Sequence, residues 1–113
     1  MTEFEALVLS AAIEAPIAFF LVRFTGWPCR GPVHVAAAIM LATAVTHPQL
    51  WTASLWLYSR IGYWPTVGCT EAAVIVVEAA IIGWVAGLSP TRALIVSGIA
   101  NLASALTGLV LFP

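Results

Sequence analysis

The segment GCTEAAVIVVEAAIIGWVAGL, residues 68–88, decides the fold class of this chain. It is almost entirely apolar and long enough to cross a hydrocarbon core of roughly 30 Å as one helix of about 20 residues. Only Glu71 and Glu78 bring charge into it, and their spacing of about two helical turns places both on one side of the helix. The segment therefore predicts a transmembrane helix with one acidic face.

Three further apolar segments match this one in length, at about residues 6–24, 33–53 and 93–112. The whole chain is 62% hydrophobic and 8% charged, whereas soluble domains average about 45–50% and about 25%. A soluble protein of this size could not hide so much apolar surface in one small core. We therefore predict an all-α membrane protein in which four transmembrane helices form a single domain, residues 1–113, with the lipid bilayer as its main partner.

The stretch between the second and third predicted helices is dense in tryptophan and tyrosine. Its aromatic residues are Trp51, Trp56, Tyr58, Tyr63 and Trp64. Such density is typical of a membrane–water interface. An aromatic interfacial segment is therefore expected between helices two and three, and a short helix lying along the surface would fit there.

Arginine placement predicts the orientation of the chain in the membrane. By helix parity, Arg23, Arg30 and Arg92 fall on one side, and Arg60 falls on the other side with both termini. The positive-inside rule then places both termini outside the cytoplasm. No basic run or patch occurs, which argues against nucleic-acid binding.

A faint internal repeat relates the two halves of the chain. IEA at residues 13–15 resembles VEA at 77–79, and TAVT at 43–46 is placed like NLAS at 101–104. Two repeated helical hairpins, related by an axis along the membrane normal, would produce this pattern. Chance similarity in a sequence rich in Ala, Val and Ile is the alternative.

Polar side chains inside the predicted spans form the candidate site. A charged carboxylate at the bilayer centre costs roughly 2.5–3.5 kcal/mol even on permissive scales. Such groups are therefore expected to face protein or trapped water and to be protonated, paired or metal-bound. Alternating helix direction brings them into one layer, from the middle of the membrane to the half nearer the termini, so they are expected to form a single buried binding site. The candidate residues are Glu14, Thr43, Thr46, His47, Glu71, Glu78, Asn101 and Ser104.

Within this set, His47, Glu14 and Glu78 are the candidate ligands for a divalent metal cation, the one cofactor that the sequence suggests. Pro48 removes a backbone hydrogen bond beside His47 and is expected to kink the helix there. Structural roles are the alternative for several members. Small polar side chains such as Ser104 often serve helix packing, and Glu71 falls near a favourable helix N-terminus.

Several short motifs resemble a group of small, uncharacterised four-span membrane proteins of prokaryotes. They are EAP at 14–16, THPQLW at 46–51, the pair Glu71 and Glu78, and ANLAS at 100–104 with Gly108. Thr43 stands where that pattern has asparagine. The resemblance implies that these positions act as one unit and that the chain lies in the inner (cytoplasmic) membrane of a prokaryote, and it implies no particular activity.

Three functions are compatible with these features. The first is a small transporter or channel-like protein that binds a proton, metal cation or small solute and works as a homo-oligomer, because four helices enclose little space. The second is an accessory subunit of a larger membrane complex, paired with membrane-protein partners. The third is an intramembrane enzyme in which Glu and His activate water. An enzyme is the less favoured reading, because the chain has neither His-Glu-x-x-His nor Gly-x-Ser-x-Gly.

Overall fold

The computed structural model describes residues 2–111, and these form four long α-helices joined by short connections. The helices are α1 (Glu3–Thr25), α2 (Pro32–Ile61), α3 (Tyr63–Ala86) and α4 (Pro90–Leu111). Each is long and apolar enough to cross a membrane by length and composition. The predicted all-helical fold with four such helices is thereby confirmed, and it indicates a membrane protein. The predicted end of the fourth segment, at residue 112, lies outside the described residues.

The helix ends follow from local sequence chemistry. The Thr2 hydroxyl accepts a hydrogen bond from the Glu5 backbone N–H at 3.1 Å and so caps α1. Pro32 occupies the first turn of α2, where its missing N–H leaves no bond unmade. Helices α1 and α3 end at Gly26 and Gly87, which adopt the left-handed conformation of a helix C-cap.

The connection between α2 and α3 differs from the sequence expectation. Helix α2 continues through Pro48 to Ile61 instead of ending near residue 53, and α3 begins at Tyr63 instead of residue 68. Residues 49–61 contain no glycine or proline, so nothing terminates α2 before Gly62. The aromatic segment therefore forms the end of α2 and the start of α3, and it makes no separate surface helix.

The four helices form a ring. Each packs against its neighbours in the chain, and α4 closes the ring against α1. Helices α1 and α3 therefore face each other across the bundle, as do α2 and α4. Neighbouring helices run antiparallel, as in an up-down-up-down bundle.

The main cluster of buried apolar side chains fills one half of this bundle, while Ala6 and Val74 are buried separately in the other half. Its members lie between the central polar residues and the α1–α2 and α3–α4 connections, a region that we call the apolar half. They are Ala18, Val22, Val35, Ala38, Ile39, Ala79, Ile82, Ala86, Leu88, Ala93, Val96 and Ala100. Trp27 and Cys29, from the α1–α2 connection, pack against this core from the end of the bundle.

Arginines fasten the connection at the end of the apolar half. The Arg30 side chain donates to the Val85 carbonyl at 2.6 Å, and its backbone N–H donates to the Ala86 carbonyl at 2.7 Å. Both acceptors belong to the last turn of α3, whose carbonyls have no partner within the helix. The Arg92 guanidinium lies 5.6 Å from the centre of the Trp27 ring. This end of the bundle is therefore closed by a fixed connection.

Candidate buried polar site

A polar cluster lies at the level where the apolar half ends, and each helix contributes to it. Glu14 comes from α1, Thr43 from α2, Glu78 from α3 and Asn101 from α4. Both glutamates are only 1% exposed, and Thr43 and Asn101 are also buried. The convergence of four helices on these side chains makes them the centre of the candidate site.

The Thr43 hydroxyl joins the two glutamates across the bundle. Its oxygen lies 3.1 Å from Glu14 Oε2 and 3.3 Å from Glu78 Oε1. A threonine hydroxyl has one hydrogen to donate and can also accept hydrogen bonds. It can therefore donate to only one of the two carboxyl groups at a time. The other contact becomes a hydrogen bond only if that carboxyl group carries a proton and donates it to the Thr43 oxygen.

Glu78 has further donors around it. Asn101 Nδ2 donates to Glu78 Oε2 at 2.7 Å. The Thr46 hydroxyl lies 3.4 Å from Glu78 Oε1, but only 2.8 Å from the carbonyl of Ala42. The strong partner of Glu78 is therefore an amide, and Thr46 is a weak partner with a better acceptor of its own.

Asn101 is held in place by the neighbouring turn of α4. Its Nδ2 also donates to the Ser97 carbonyl at 2.8 Å and lies 3.3 Å from the Ser97 hydroxyl oxygen. That hydroxyl, which is fully buried, donates to the Ile75 carbonyl of α3 at 2.9 Å. Ser97 therefore fixes both the amide orientation and the contact between α3 and α4.

Glu14 has fewer hydrogen-bond partners than Glu78. Its Oε2 contacts Thr43, whereas its Oε1 is buried and has no hydrogen-bond partner among residues 2–111. A buried polar atom without a partner carries a desolvation penalty, which is much larger for a charged group than for a neutral one. The two carboxyl groups of the site thus sit in unequal surroundings.

Three predicted site residues lie apart from this hydrogen-bond network. Ser104 contacts Ser10 of α1, with the two hydroxyl oxygens 3.3 Å apart. His47 stacks on Trp51 with ring centres 6.0 Å apart, and its buried Nδ1 has no partner in the described part of the chain. Glu71 is partly buried and shares a face of α3 with Glu78. These polar groups lie on the side of the cluster away from the apolar half.

The predicted metal-ligand set is not assembled. Within residues 2–111, no three His, Cys, Asp or Glu side chains are grouped as ligands for a metal ion. The reason is geometric: Glu14 and Glu78 meet through the Thr43 hydroxyl, while the His47 ring packs against Trp51 one turn further along α2.

A groove of about 440 Å³ runs between α2 and α3 and opens on the outer surface of the bundle. Apolar side chains form most of its walls, including Val45, Leu57 and Val77. Thr46, which contacts Glu78, also lines it, as does the exposed Cys69. Thr46 therefore connects the surface groove with the buried site.

The site therefore contains most, but not all, of the predicted residues. The structure joins Glu14, Thr43, Thr46, Glu78 and Asn101 by hydrogen bonds. It adds Ser97, which is not among the candidate residues from the sequence and which contacts the Asn101 amide. The signal for its role was present, because residues spaced four apart on a helix, as Ser97 and Asn101 are, lie on one face.

Comparison with known proteins adds no relative: no family model, curated protein or solved structure matches this chain.

Proposed function

We propose that this chain is a small membrane transport protein whose Glu14–Thr43–Glu78 site binds and releases a proton. The observation that carries the proposal is the single hydroxyl placed between two buried carboxyl groups. Buried ionisable groups within membrane spans commonly mark ion pathways and proton relays.

The number of hydrogen-bond donors at the site indicates where one proton would lie. With that proton on Glu14, the Glu14 carboxyl donates to Thr43 and the Thr43 hydroxyl donates to Glu78. Glu78 then carries the negative charge, stabilised by Thr43 and by Asn101 at 2.7 Å. The unpartnered Glu14 Oε1 becomes the carbonyl oxygen of a neutral acid, which is the less costly group to leave without a donor. Exchange of a second proton on Glu78 would be the transport-linked event.

Access to the site is proposed to come from one side in this conformation. The apolar half closes the path towards the α1–α2 and α3–α4 connections. On the opposite side, the partly buried polar residues Ser10, His47, Glu71 and Ser104 lie between the site and the bundle end. A proton would therefore enter from the end that bears the N-terminus and Gly62. Its passage to the other side would require the apolar half to move.

We further propose an inner-membrane location in a prokaryote, as the resemblance of the short motifs implies, with both termini outside the cytoplasm, as the arginine distribution favours. At 30 residues, α2 would extend about 45 Å, longer than a hydrocarbon core of roughly 30 Å. Its aromatic end would then reach the interface, where Arg60 lies 4.2 Å from the centre of the Trp56 ring. A reporter fused to the C-terminus, active only outside the cytoplasm, tests this orientation.

A homo-oligomer and an origin by hairpin duplication are also part of the proposal. The interior of one copy is filled by the polar cluster and the apolar core, which supports assembly as the way to make a path for a solute. The repeat would make Glu14 equivalent to Glu78, and Thr43 to Asn101, and these four side chains meet at one level. Native mass spectrometry from mild detergent tests the oligomeric state and would also detect a different membrane-protein partner.

Proton flux into proteoliposomes with a trapped pH indicator tests the central function. With an imposed membrane potential, the wild-type protein should acidify the lumen, and Glu14→Gln and Glu78→Gln should abolish this flux. Glu5→Gln is the matched control, because it makes the same chemical change at an exposed position of α1. Flux that persists unchanged in both site variants would contradict the proposal.

A further inference from the structure

The groove between α2 and α3 is lined mostly by apolar side chains and lies close to the buried carboxyl group of Glu78. Its walls are mostly aliphatic, and it opens laterally, where lipid would lie. Thr46 lines the groove, and the Thr46 hydroxyl oxygen lies 3.4 Å from Glu78 Oε1. A ligand in the groove would therefore contact Thr46, whose hydroxyl reaches the buried Glu78 carboxyl group.

The Thr46 hydroxyl can lose its contact with Glu78 and still keep a hydrogen bond. Its hydroxyl lies 2.8 Å from the Ala42 carbonyl, which is a shorter contact than the one to Glu78. If a ligand displaces it from Glu78, the hydroxyl keeps its backbone acceptor and leaves no buried donor unpaired. Glu78 could then accept a new partner from the groove.

The distribution of charged side chains favours a cation as the ligand that would contact Glu78 from the groove. The partners of Glu14 and Glu78 among residues 2–111 are hydroxyls and one amide, with no basic side chain. Arg30 and Arg92 are engaged at the far end of the apolar half, and Arg60 stacks on Trp56. A buried carboxylate without a cationic partner is costly in a membrane, so a cation that brings its own apolar body would be favoured there.

We infer that the groove binds a monovalent lipophilic cation, whose apolar body fills the space between α2 and α3 and whose charge pairs with Glu78. This inference rests on the proposed proton site. The cation and a second proton compete for the same carboxylate, so one leaves when the other binds. A lipid acyl chain or a helix of a second copy could also fill the groove, but neither would bring a positive charge to pair with Glu78.

Competition with protons depends on the groups around Glu78. Glu14 of α1 faces it through Thr43, and Glu71 lies two turns away on α3 itself. Helix α2 carries His47 next to Thr46, while α4 presents only the Asn101 amide. Acidification adds positive charge or removes negative charge at each titratable group in this set, so binding of a cation should weaken as the pH falls.

Binding of tetraphenylphosphonium to the protein in lipid nanodiscs tests the inference, with tetraphenylborate as an anion of the same shape. We expect the phosphonium to bind, and to bind less well at low pH, while the borate does not bind. Glu78→Gln should weaken phosphonium binding by at least about tenfold, because it removes the charge that a buried pair requires. Equal binding of both probes, or unchanged phosphonium binding in Glu78→Gln, would overturn the inference and leave an apolar slot for lipid or a second copy.

A second variant keeps the test independent of any folding defect at Glu78. Ala73 lines the groove, so Ala73→Trp should fill it and abolish phosphonium binding while proton flux persists. Its exposed neighbour Ala72 does not line the groove, and Ala72→Trp should leave both properties unchanged. Proton flux through a wild-type protein that binds no phosphonium would refute the cation site alone and leave the proton site standing.

Two native cysteines report where the probe binds. Cys69 is exposed and lines the groove, whereas Cys29 is partly buried against the core of the apolar half. Tetraphenylphosphonium should slow alkylation of Cys69 by N-ethylmaleimide and leave the slower reaction of Cys29 unchanged. Equal effects at both cysteines, or none at Cys69, would contradict binding in the groove.

Discussion

Thr43 is the residue on which the account of the site depends, because its hydroxyl is the only link between the two glutamates in the described chain. Thr43→Val keeps the shape of the side chain and removes the hydroxyl, leaving both carboxyl groups short of a partner. We expect a loss of stability of about 1–3 kcal/mol and a loss of proton flux. Unfolding in detergent and the proteoliposome assay measure the two effects.

Thr43→Ser is the matched control for that change, since it retains the hydroxyl and removes only a methyl group. It should keep most of the proton flux. If the valine and serine variants conduct protons equally well, the hydroxyl takes no part in the exchange.

Asn101 and Glu78 should show energetic coupling. Replacing Asn101 with Leu leaves Glu78 Oε2 without its 2.7 Å donor, while Glu78→Gln removes the charge that this donor stabilises. Contacting polar residues typically couple by about 0.5–3 kcal/mol. We therefore expect the double variant to be more stable than the sum of the two single effects implies, and a double-mutant cycle on unfolding free energies measures this. Strict additivity would mean that the hydrogen bond contributes little.

At this scale, sequence reasoning found the charged members of the site and missed some of the contacts. Glu14 and Glu78 were predictable because carboxyl groups in apolar spans need partners. The position of His47 outside the hydrogen-bond network was not predictable. Helical spacing gives the face on which a side chain lies, but it does not identify the residue that the side chain contacts. The ring of His47 packs on Trp51, which lies one turn further along the same helix.

Among the elements, α2 and α3 are joined by Gly62 alone, with φ 85° and ψ 179°. This region of backbone conformation is nearly restricted to glycine. No atom outside its immediate neighbours lies within 4 Å of a Cβ built at Gly62, so the penalty for alanine there is conformational. We expect Gly62→Ala to lower stability by about 1–3 kcal/mol, measured by thermal unfolding in detergent.

Gly68 provides the control for that prediction. It lies inside α3, where alanine is the better helix former, and a Cβ there also meets nothing within 4 Å. Gly68→Ala should be neutral or stabilising by roughly 0.5–1 kcal/mol. Equal losses of stability in the two variants would show that the turn at Gly62 has no special conformational demand.

The existence of the helices was predictable from their apolar length, whereas the predicted end of α2 and start of α3 were wrong because the aromatic residues were given too much weight. Tryptophan and tyrosine at residues 51–64 suit both a membrane interface and the ends of two helices. The decisive feature was the absence of a helix breaker between Pro48 and Gly62, which lets α2 continue.

The whole molecule is asymmetric along its long axis, because the main apolar cluster lies on one side of the glutamates and most of the partly buried polar side chains lie on the other, with Ala6 and Val74. Side-chain polarity and helix parity suggested the polar layer, but the sequence did not show that the main apolar cluster occupies one half. That division arises from the pairing of all four helices and needs the tertiary arrangement.

This asymmetry predicts one-sided access. In a background without native cysteines, Ser10→Cys should react with a small hydrophilic thiol reagent added on the side of the N-terminus. Ala38→Cys, which is fully buried in the apolar half, should be protected from reagent on either side. Comparable labelling rates at the two positions would show that the core does not seal the site.

The central claim is that one proton links Glu14 to Glu78 through Thr43, and infrared spectroscopy of the protein in lipid at neutral pH tests it most directly. The wild-type protein should show the carbonyl band of a protonated carboxylic acid. Glu14→Gln should remove that band, Thr43→Val should shift it, and Glu5→Gln should leave it unchanged. A wild-type spectrum with carboxylate bands only, or an acid band that survives unaltered in Glu14→Gln, would contradict the account.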